Sequence, residues 1–445
     1  MGPSPGGPSR AGGVAGHHSL APMPPSSSRP IDDPAADAAL LLIRLGLLVL
    51  AFAVPLSAVI SRRALYTLLP IGGGLLIVAA SLLPRPPVKR RLAGALTTAA
   101  GLGALVLLAW SAASIIWTPF PAEAAQRWLK EGGTIMAVGL VMALLPERTR
   151  TSNLYLFPLG LVPAGIATAV FGLVGAQRLS QFPDADGTLE RAVVSLVVLV
   201  WPALGALAVR ERWTSAALLV IGITLSAMAA WTPVALTGLA LGAVAFAGAT
   251  LSPRRAGVVF GAAAGAVLLF APGIPFVFEP LFDRLGTITG GRLPEFAEMA
   301  RGLHVWADLV ASDRLRLVTG HGLDLATRGA VVGYLPPEIP RSLAFEIWYD
   351  LGLVGAAAAA LLAFGGFVLA GRTAVAVAPF LIAEIVSGLT FALWGLDTTE
   401  LWWVTTLSVG ALAFAVVIRG QYRTERPHAQ VVPRVEPLPP RRAAS

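Results

Sequence analysis

Apolar runs of about 20 residues recur between residues 38 and 419, each long enough to cross a ~30 Å hydrocarbon core. In lipid, backbone N–H and C=O groups must be satisfied within the spanning structure. Runs of this length therefore fold as helices, and open sheet is excluded. Composition agrees: the 445 residues are 56% hydrophobic and 13% charged, where a soluble protein would carry about 25% charged. The fold class read from the sequence is an all-α polytopic membrane protein.

Twelve helices are predicted, at 38–60, 64–83, 93–116, 132–146, 153–175, 192–209, 213–231, 233–250, 256–276, 350–371, 374–395 and 400–419. With the N-terminus inside, the tails and the loops "RPPVKRR", "PERTR", "RER", "SPRR" and "GR" place 19 Lys and Arg on the cytoplasmic side. The short external loops hold six: Arg62, Arg63, Arg127, Lys130, Arg178 and Arg191. Such an asymmetry sets orientation, and both termini are expected in the cytoplasm. Residues 1–37 read as a disordered Pro/Gly/Ser-rich tail and 420–445 as a basic, Pro-rich one. Helices one to nine fill 38–276, a large external loop fills 277–342, and helices ten to twelve fill 343–419.

The chain has no cysteine, which excludes disulfides and thiolate metal sites. No metal cluster or phosphate-loop motif is present, so no cofactor is expected. The net charge of +8 suits cytoplasmic loops and anionic membrane lipids. No basic helix interleaved with aromatics points to nucleic acid.

The external loop carries the chemistry. In "EFAEMARGLHVWADLVASDR", Phe296, Met299, Leu303, Trp306 and Val310 recur at helical spacing, with Glu298, Arg301, Asp308 and Ser312 on the opposite stripe. Such a helix either lies on the membrane or covers the mouth of the bundle; Arg301 alone is equally a solvated partner of Glu298. "TGHGLD" (319–324) follows, where flanking glycines either hold His321 at an exposed angle or make a plain turn. "IPRSLAFEIWYDLGLVG" (339–355) then begins a membrane-like helix with Arg341, Glu346 and Asp350 on its first turns. On a helical projection Ser342, Glu346, Tyr349 and Asp350 share about one third of the circumference. Glu346 and Asp350 repel at i,i+4 unless a cation lies between them or one is protonated. The bland alternative is an interfacial helix whose charges stay wet. Arg44 and Glu384 lie inside predicted spans, where charge is costly unless paired.

Four stretches resemble the O-antigen ligase and O-antigen polymerase superfamily of bacterial membrane proteins: "SIIWTPFPAEAAQRWLK" (114–130), "LERAVVSLVVLVWP" (189–202), "ARGLHVWADLVASDRLRLVTGHGLD" (300–324) and "RSLAFEIWYDLGLVG" (341–355). The last resembles the ligase motif of His, Asn/Ser/Gln, nine residues and Gly-x-x-Gly, with Ser342, Gly352 and Gly355 in register and Arg341 in place of the histidine. The resemblance implies a metal-independent inverting glycosyltransferase of the bacterial inner membrane, serving lipopolysaccharide or polysaccharide assembly. Its partners would be an undecaprenyl-pyrophosphate-linked glycan donor and a glycan or lipid A-core acceptor at the periplasmic face. Arginine suits a pyrophosphate leaving group through bidentate contacts, which assigns Arg191, Arg301 and Arg341 to the donor. With the histidine missing, the role of general base is vacant or passes to His321, Glu346 or Asp350, with Arg341 beside them. Two other readings stand: a twelve-span secondary transporter using Glu384 and Arg44, and a non-catalytic family member.

Overall fold

The computed structural model describes residues 34–83, 87–147, 149, 151–174, 185–288, 294–312, 316–394 and 401–420. Most of both predicted tails, and Arg178, lie outside the described residues. Among these residues the architecture is all-α; one isolated bridge, Thr149 to Gly420, is the sole β feature. A helix occupies each of the twelve segments read from the sequence.

The first rod comprises α1 (Pro34–Leu48), a π turn (Val49–Ala53) and α2 (Val54–Ile60). The π turn lies just before Pro55, whose missing N–H and ring cannot join a regular i→i−4 ladder. Helix α3 (Arg62–Leu82) starts where the Ser61 hydroxyl accepts from the Arg63 N–H at 3.2 Å. The predicted third span is broken into α4 (Val88–Leu96) and α5 (Ala99–Ser114), which meet at 86°. Thr98 causes the break: it caps α5 by accepting from the Gly101 N–H at 3.0 Å. Helix α4 holds Lys89, Arg90 and Arg91 and buries none of its residues, as expected of a helix lying along an interface.

Helix α6 (Pro121–Leu144) begins well before the predicted start at 132. Pro121 opens its first turn and Glu123 meets the positive helix end, so the charged stretch read as loop is helical. Then follow α7 (Leu156–Val174), α8 (Ala185–Ala208), α9 (Trp213–Ala229), α10 (Pro233–Leu251) and α11 (Pro253–Leu269). The segment read from the sequence as the large loop holds α12 (Ile274–Ile288), α13 (Pro294–Ser312), the single turn α14 (Arg316–Thr319) and α15 (Leu325–Val332). The chain re-enters the bundle as α16 (Leu343–Gly371), α17 (Ala378–Trp394) and α18 (Leu401–Ile418).

Among the described residues seven helices are long and apolar enough to cross a membrane, or up to nine if each bent pair, α4 with α5 and α11 with α12, counts as one span. Helices α9 and α17 are apolar but 17 residues long.

Every residue from Arg191 to Ala208 of α8 is buried. A helix apolar on all sides and enclosed by its neighbours is the pillar of a bundle, and α2, α7, α9, α17 and α18 pack around it. A second packing unit joins α5 and α11 to α16 through small residues, which let backbones approach closely. A Cβ on Gly103 would lie 2.5 Å from the Leu362 nitrogen and 2.8 Å from the Ala358 carbonyl oxygen. Both atoms are backbone and cannot move aside.

The two ends of the bundle differ in charge. At the C-terminus of α6, Arg91 donates to the Ala143 and Leu145 carbonyls at 2.8 and 2.9 Å, and Arg419 donates to Leu145 at 2.9 Å. Arg254 and Arg255 open α11 beside Gly371 at the end of α16, next to Arg372. The opposite end, where α6 and α16 begin, is covered by α12 to α15.

Gly103→Val should force α5 from α16. An overpacking cost of about 1–3 kcal/mol is expected, seen as a lower midpoint in thermal-shift size-exclusion of the detergent-solubilised protein. Gly74→Ala, where an added Cβ meets nothing within 4 Å, should leave the midpoint unchanged.

Candidate functional site

The site grows from an interruption in α16. Gly352 has φ +63° and ψ −158° within an otherwise continuous 29-residue helix. Its φ lies where only glycine is comfortable, and the break leaves the carbonyls just before it without helical partners. In a membrane protein those groups need partners from elsewhere.

The "TGHGLD" turn supplies them. Its backbone N–H groups donate at His321 to the Tyr349 carbonyl (2.8 Å) and at Gly322 to the Asp350 carbonyl (2.9 Å). The third carbonyl, Leu351, accepts from Trp110 Nε1 of α5 at 2.9 Å. Gly320 and Gly322 also have positive φ, and a Cβ on Gly322 would lie 2.6 Å from Thr118 Cα. The turn is thus wedged between the broken helix and the segment linking α5 to α6. Thr118 Oγ1 donates to the Leu323 carbonyl at 2.9 Å, and Ser114 Oγ accepts from the Leu323 N–H at 3.2 Å.

Asp350 then starts α15. Asp324, in left-handed conformation with φ +72°, occupies the position before the helix, and its own side chain makes no capping bond. The Asp350 carboxylate replaces it, Oδ2 accepting from the Asp324 N–H at 2.9 Å and Oδ1 from the Ala326 N–H at 2.7 Å. A carboxylate facing two orphan N–H groups at a helix start is electrostatically matched to them. Asp350 is 3% exposed, and both its oxygens are engaged in holding the loop.

Arg127 of α6 binds this unit to the bundle. It pairs with Glu131 at 2.9 Å, with Asp324 at 3.1 Å and, more loosely, with Glu346 at 3.9 Å. Arg328 of α15 reaches Asp324 from the other side at 3.1 Å. Four carboxyl groups and two guanidiniums therefore meet at the mouth of the bundle.

Two cavities flank this cluster. One, about 460 Å³, lies among α5, α6, α16 and α17, with Arg127, Glu131, Glu346 and Asp350 among its lining and Leu362, Ala363 and Leu389 in its apolar reach. It follows α16 from Glu346, past the break at Gly352, to Gly366. The other, about 240 Å³, is more polar and lies under α15, lined by Thr327, Pro337, Pro340, Arg341 and Glu346. The Thr327 hydroxyl is buried without a hydrogen-bond partner among the described residues. Glu346, with its side chain 13% exposed, lines both cavities.

Of the residues read from the sequence, the fold gathers Glu346, Asp350, Arg341 and His321 around one turn of α16. Nδ1 of His321 lies 3.0 Å from the Tyr349 carbonyl, which can only accept, so Nδ1 carries the proton. Its ring stacks on Tyr349 at 4.1 Å, continuing an aromatic row through Phe345 to Trp306. His321 lines neither cavity. Arg341 is exposed and faces the polar one. Arg301 is exposed on α13, whose Trp306 is buried as the apolar stripe requires; the side chain of Phe296 lies outside the described residues. Arg191 is buried at the start of α8, where it donates to Thr188 Oγ1 at 2.9 Å. Neither Arg191 nor Arg301 lines either cavity.

Sequence reasoning assigned no site role to Arg127, Glu131 and Asp324. A signal existed: Glu123, Arg127 and Glu131 repeat at i, i+4, i+8 and share one helical face leading into an apolar run.

Asp350→Ala should expose the two amides it holds. Charge-assisted hydrogen bonds contribute about 1.5–3 kcal/mol, so the amides of Asp324 and Ala326 should exchange hydrogen about ten- to a hundredfold faster, while α8 amides keep their protection. No family model, curated protein or solved structure matches the chain, so the reading of this site rests on its own geometry.

Proposed function

We propose that the chain transfers a glycan from a polyprenyl-pyrophosphate donor to an acceptor sugar at the face where α6 and α16 begin, in the manner of O-antigen ligases and polymerases, and that its helices make twelve spans. The observation that carries this reading is Glu346, the side chain common to a long apolar cleft and a small polar cavity. A lipid-linked sugar needs both environments side by side.

In this reading the polyprenyl chain lies in the cleft among α5, α6, α16 and α17. Phosphate and sugar sit at its mouth, toward Arg341. The Arg127 cluster is already neutralised by carboxylates, so it positions the loop, and the donor's charge falls to Arg341. An acceptor hydroxyl attacks the anomeric carbon; the C–O bond to pyrophosphate breaks and polyprenyl pyrophosphate leaves with that electron pair. The hydroxyl proton passes to Glu346. Guanidinium contact with the leaving oxygens stabilises the charge that develops there, and a positioned base accelerates such a step by about 10²–10⁴-fold. The membrane would be the bacterial inner membrane, with the site periplasmic and both termini cytoplasmic.

The test is gene deletion followed by analysis of lipopolysaccharide and exopolysaccharide on a size-resolving gel. Complementation with Glu346→Gln should cut product at least a hundredfold and Arg341→Ala should reduce it strongly, both at normal membrane abundance, whereas Arg301→Ala should restore most of the ladder. A deletion that leaves every surface polysaccharide unchanged in size and amount removes the proposal.

One observation favours a proton-coupled transporter instead. Glu384 is buried in α17 at 5% exposure, with Oε1 lacking a hydrogen-bond partner among the described residues. A buried ionisable group inside a membrane segment is commonly functional. Proton-driven uptake in proteoliposomes, lost in Glu384→Gln, would support transport over transfer.

A further inference from the structure

A further cavity lies away from that cluster. A groove of about 820 Å³ separates α7 from α9, within the range of sites that hold small ligands. Its floor is closed by buried Leu161, Leu219 and Ile223 and pinned where Ser226 Oγ donates to the Gly165 carbonyl at 2.9 Å. Its rims stand out from the bundle: Ile166 is 61% exposed and Leu218 66%. At Gly222 an added Cβ would meet nothing within 4 Å, so the groove is open where α9 faces it.

One end of the groove is cationic. Arg212 lines it and is exposed, beside Tyr155, whose ring carries the Arg210 guanidinium 3.7 Å above its centre. Exposed Trp213 follows at the start of α9, as an interfacial aromatic does. This is the end of the bundle where Arg91, Arg254, Arg372 and Arg419 collect. A concave apolar channel that opens at a cationic, aromatic rim matches one chemistry: an acyl chain below and a phosphate above.

We infer that the α7–α9 groove is a binding site for an anionic phospholipid of the leaflet at the basic end. One acyl chain lies against Gly165, Gly222 and Ile223, and the phosphate meets Arg212 with Arg210 nearby. The site is independent of the transfer reading and shares no residue with it.

The full-length protein in detergent would be titrated with phosphatidylglycerol and, separately, with phosphatidylcholine of the same acyl chains, following the thermal midpoint. Phosphatidylglycerol should stabilise at about fivefold lower concentration, the preference conferred by one basic side chain at an anionic surface. Arg212→Gln, a surface change, should abolish the preference while both lipids still bind. Gly222→Leu, which fills open space, should weaken both. Equal response of the wild type to the two lipids, or a preference untouched by Arg212→Gln, overturns the proposal. So does a concentration-dependent dimer, seen by light scattering, that Gly222→Leu dissolves, because the occupant is then a second copy of the chain.

Discussion

The break at Gly352 is the constraint on which the end of the molecule where α6 and α16 begin depends. An uninterrupted α16 would satisfy its own carbonyls and offer nothing to the loop. With the helix opened, the carbonyls of Tyr349, Asp350 and Leu351 turn outward and need donors in a place where water is scarce. The "TGHGLD" turn and Trp110 provide them, and the hydrogen-bonding demand of one interrupted helix fixes the position of His321, Asp324 and α15. The same interruption places Asp350 where its carboxylate faces the start of α15. Backbone accounting, more than side-chain affinity, holds the cap on the bundle.

Electrostatics adds the next layer. Arg127 lies between carboxylates contributed by its own helix, by the loop and by α16. Buried ion groups of this kind gain little net stability, because desolvation offsets attraction; their value is in specifying one arrangement of three separate elements. That distinction divides the cluster by role. Asp324 and Asp350 hold the loop through their oxygens, and Glu346, which Arg127 also approaches, lines both cavities. The repulsion expected between Glu346 and Asp350 is relieved by the backbone N–H groups on Asp350 and by Arg127 approaching Glu346.

Much of the scaffold was legible in the sequence, because periodicity and run length report lipid exposure directly. The twelve predicted segments all hold helices, and the amphipathic stripe at Met299, Leu303 and Trp306 faces inward. What escaped follows from interactions distant in sequence. Arg127 lies 197 residues before Asp324, and the local i, i+4, i+8 repeat of Glu123, Arg127 and Glu131 marks a charged helical face without naming its distant partner. The right-angle turn at Thr98 was missed because apolar residues continue on both sides of it. Arg191 and Arg301 looked equivalent to Arg341 as cations, yet the fold sends one into the base of α8 and the other to open surface. Residue type suggested a chemistry, and only packing could say which copies face the cavities.

The clasp around α16 is made largely of main-chain atoms: amides of 321, 322, 324 and 326 meet the carbonyls of 349 and 350 and one carboxylate. Such a joint is specified by conformation, so its imprint on residue identity is slight: glycines where the chain must pass closely, and one acid. Neighbouring side chains on the loop are at liberty to drift while the geometry persists. Chains sharing this architecture would then be recognised by the spacing of a few glycines around an aspartate, and would look unrelated to any comparison that counts matching letters.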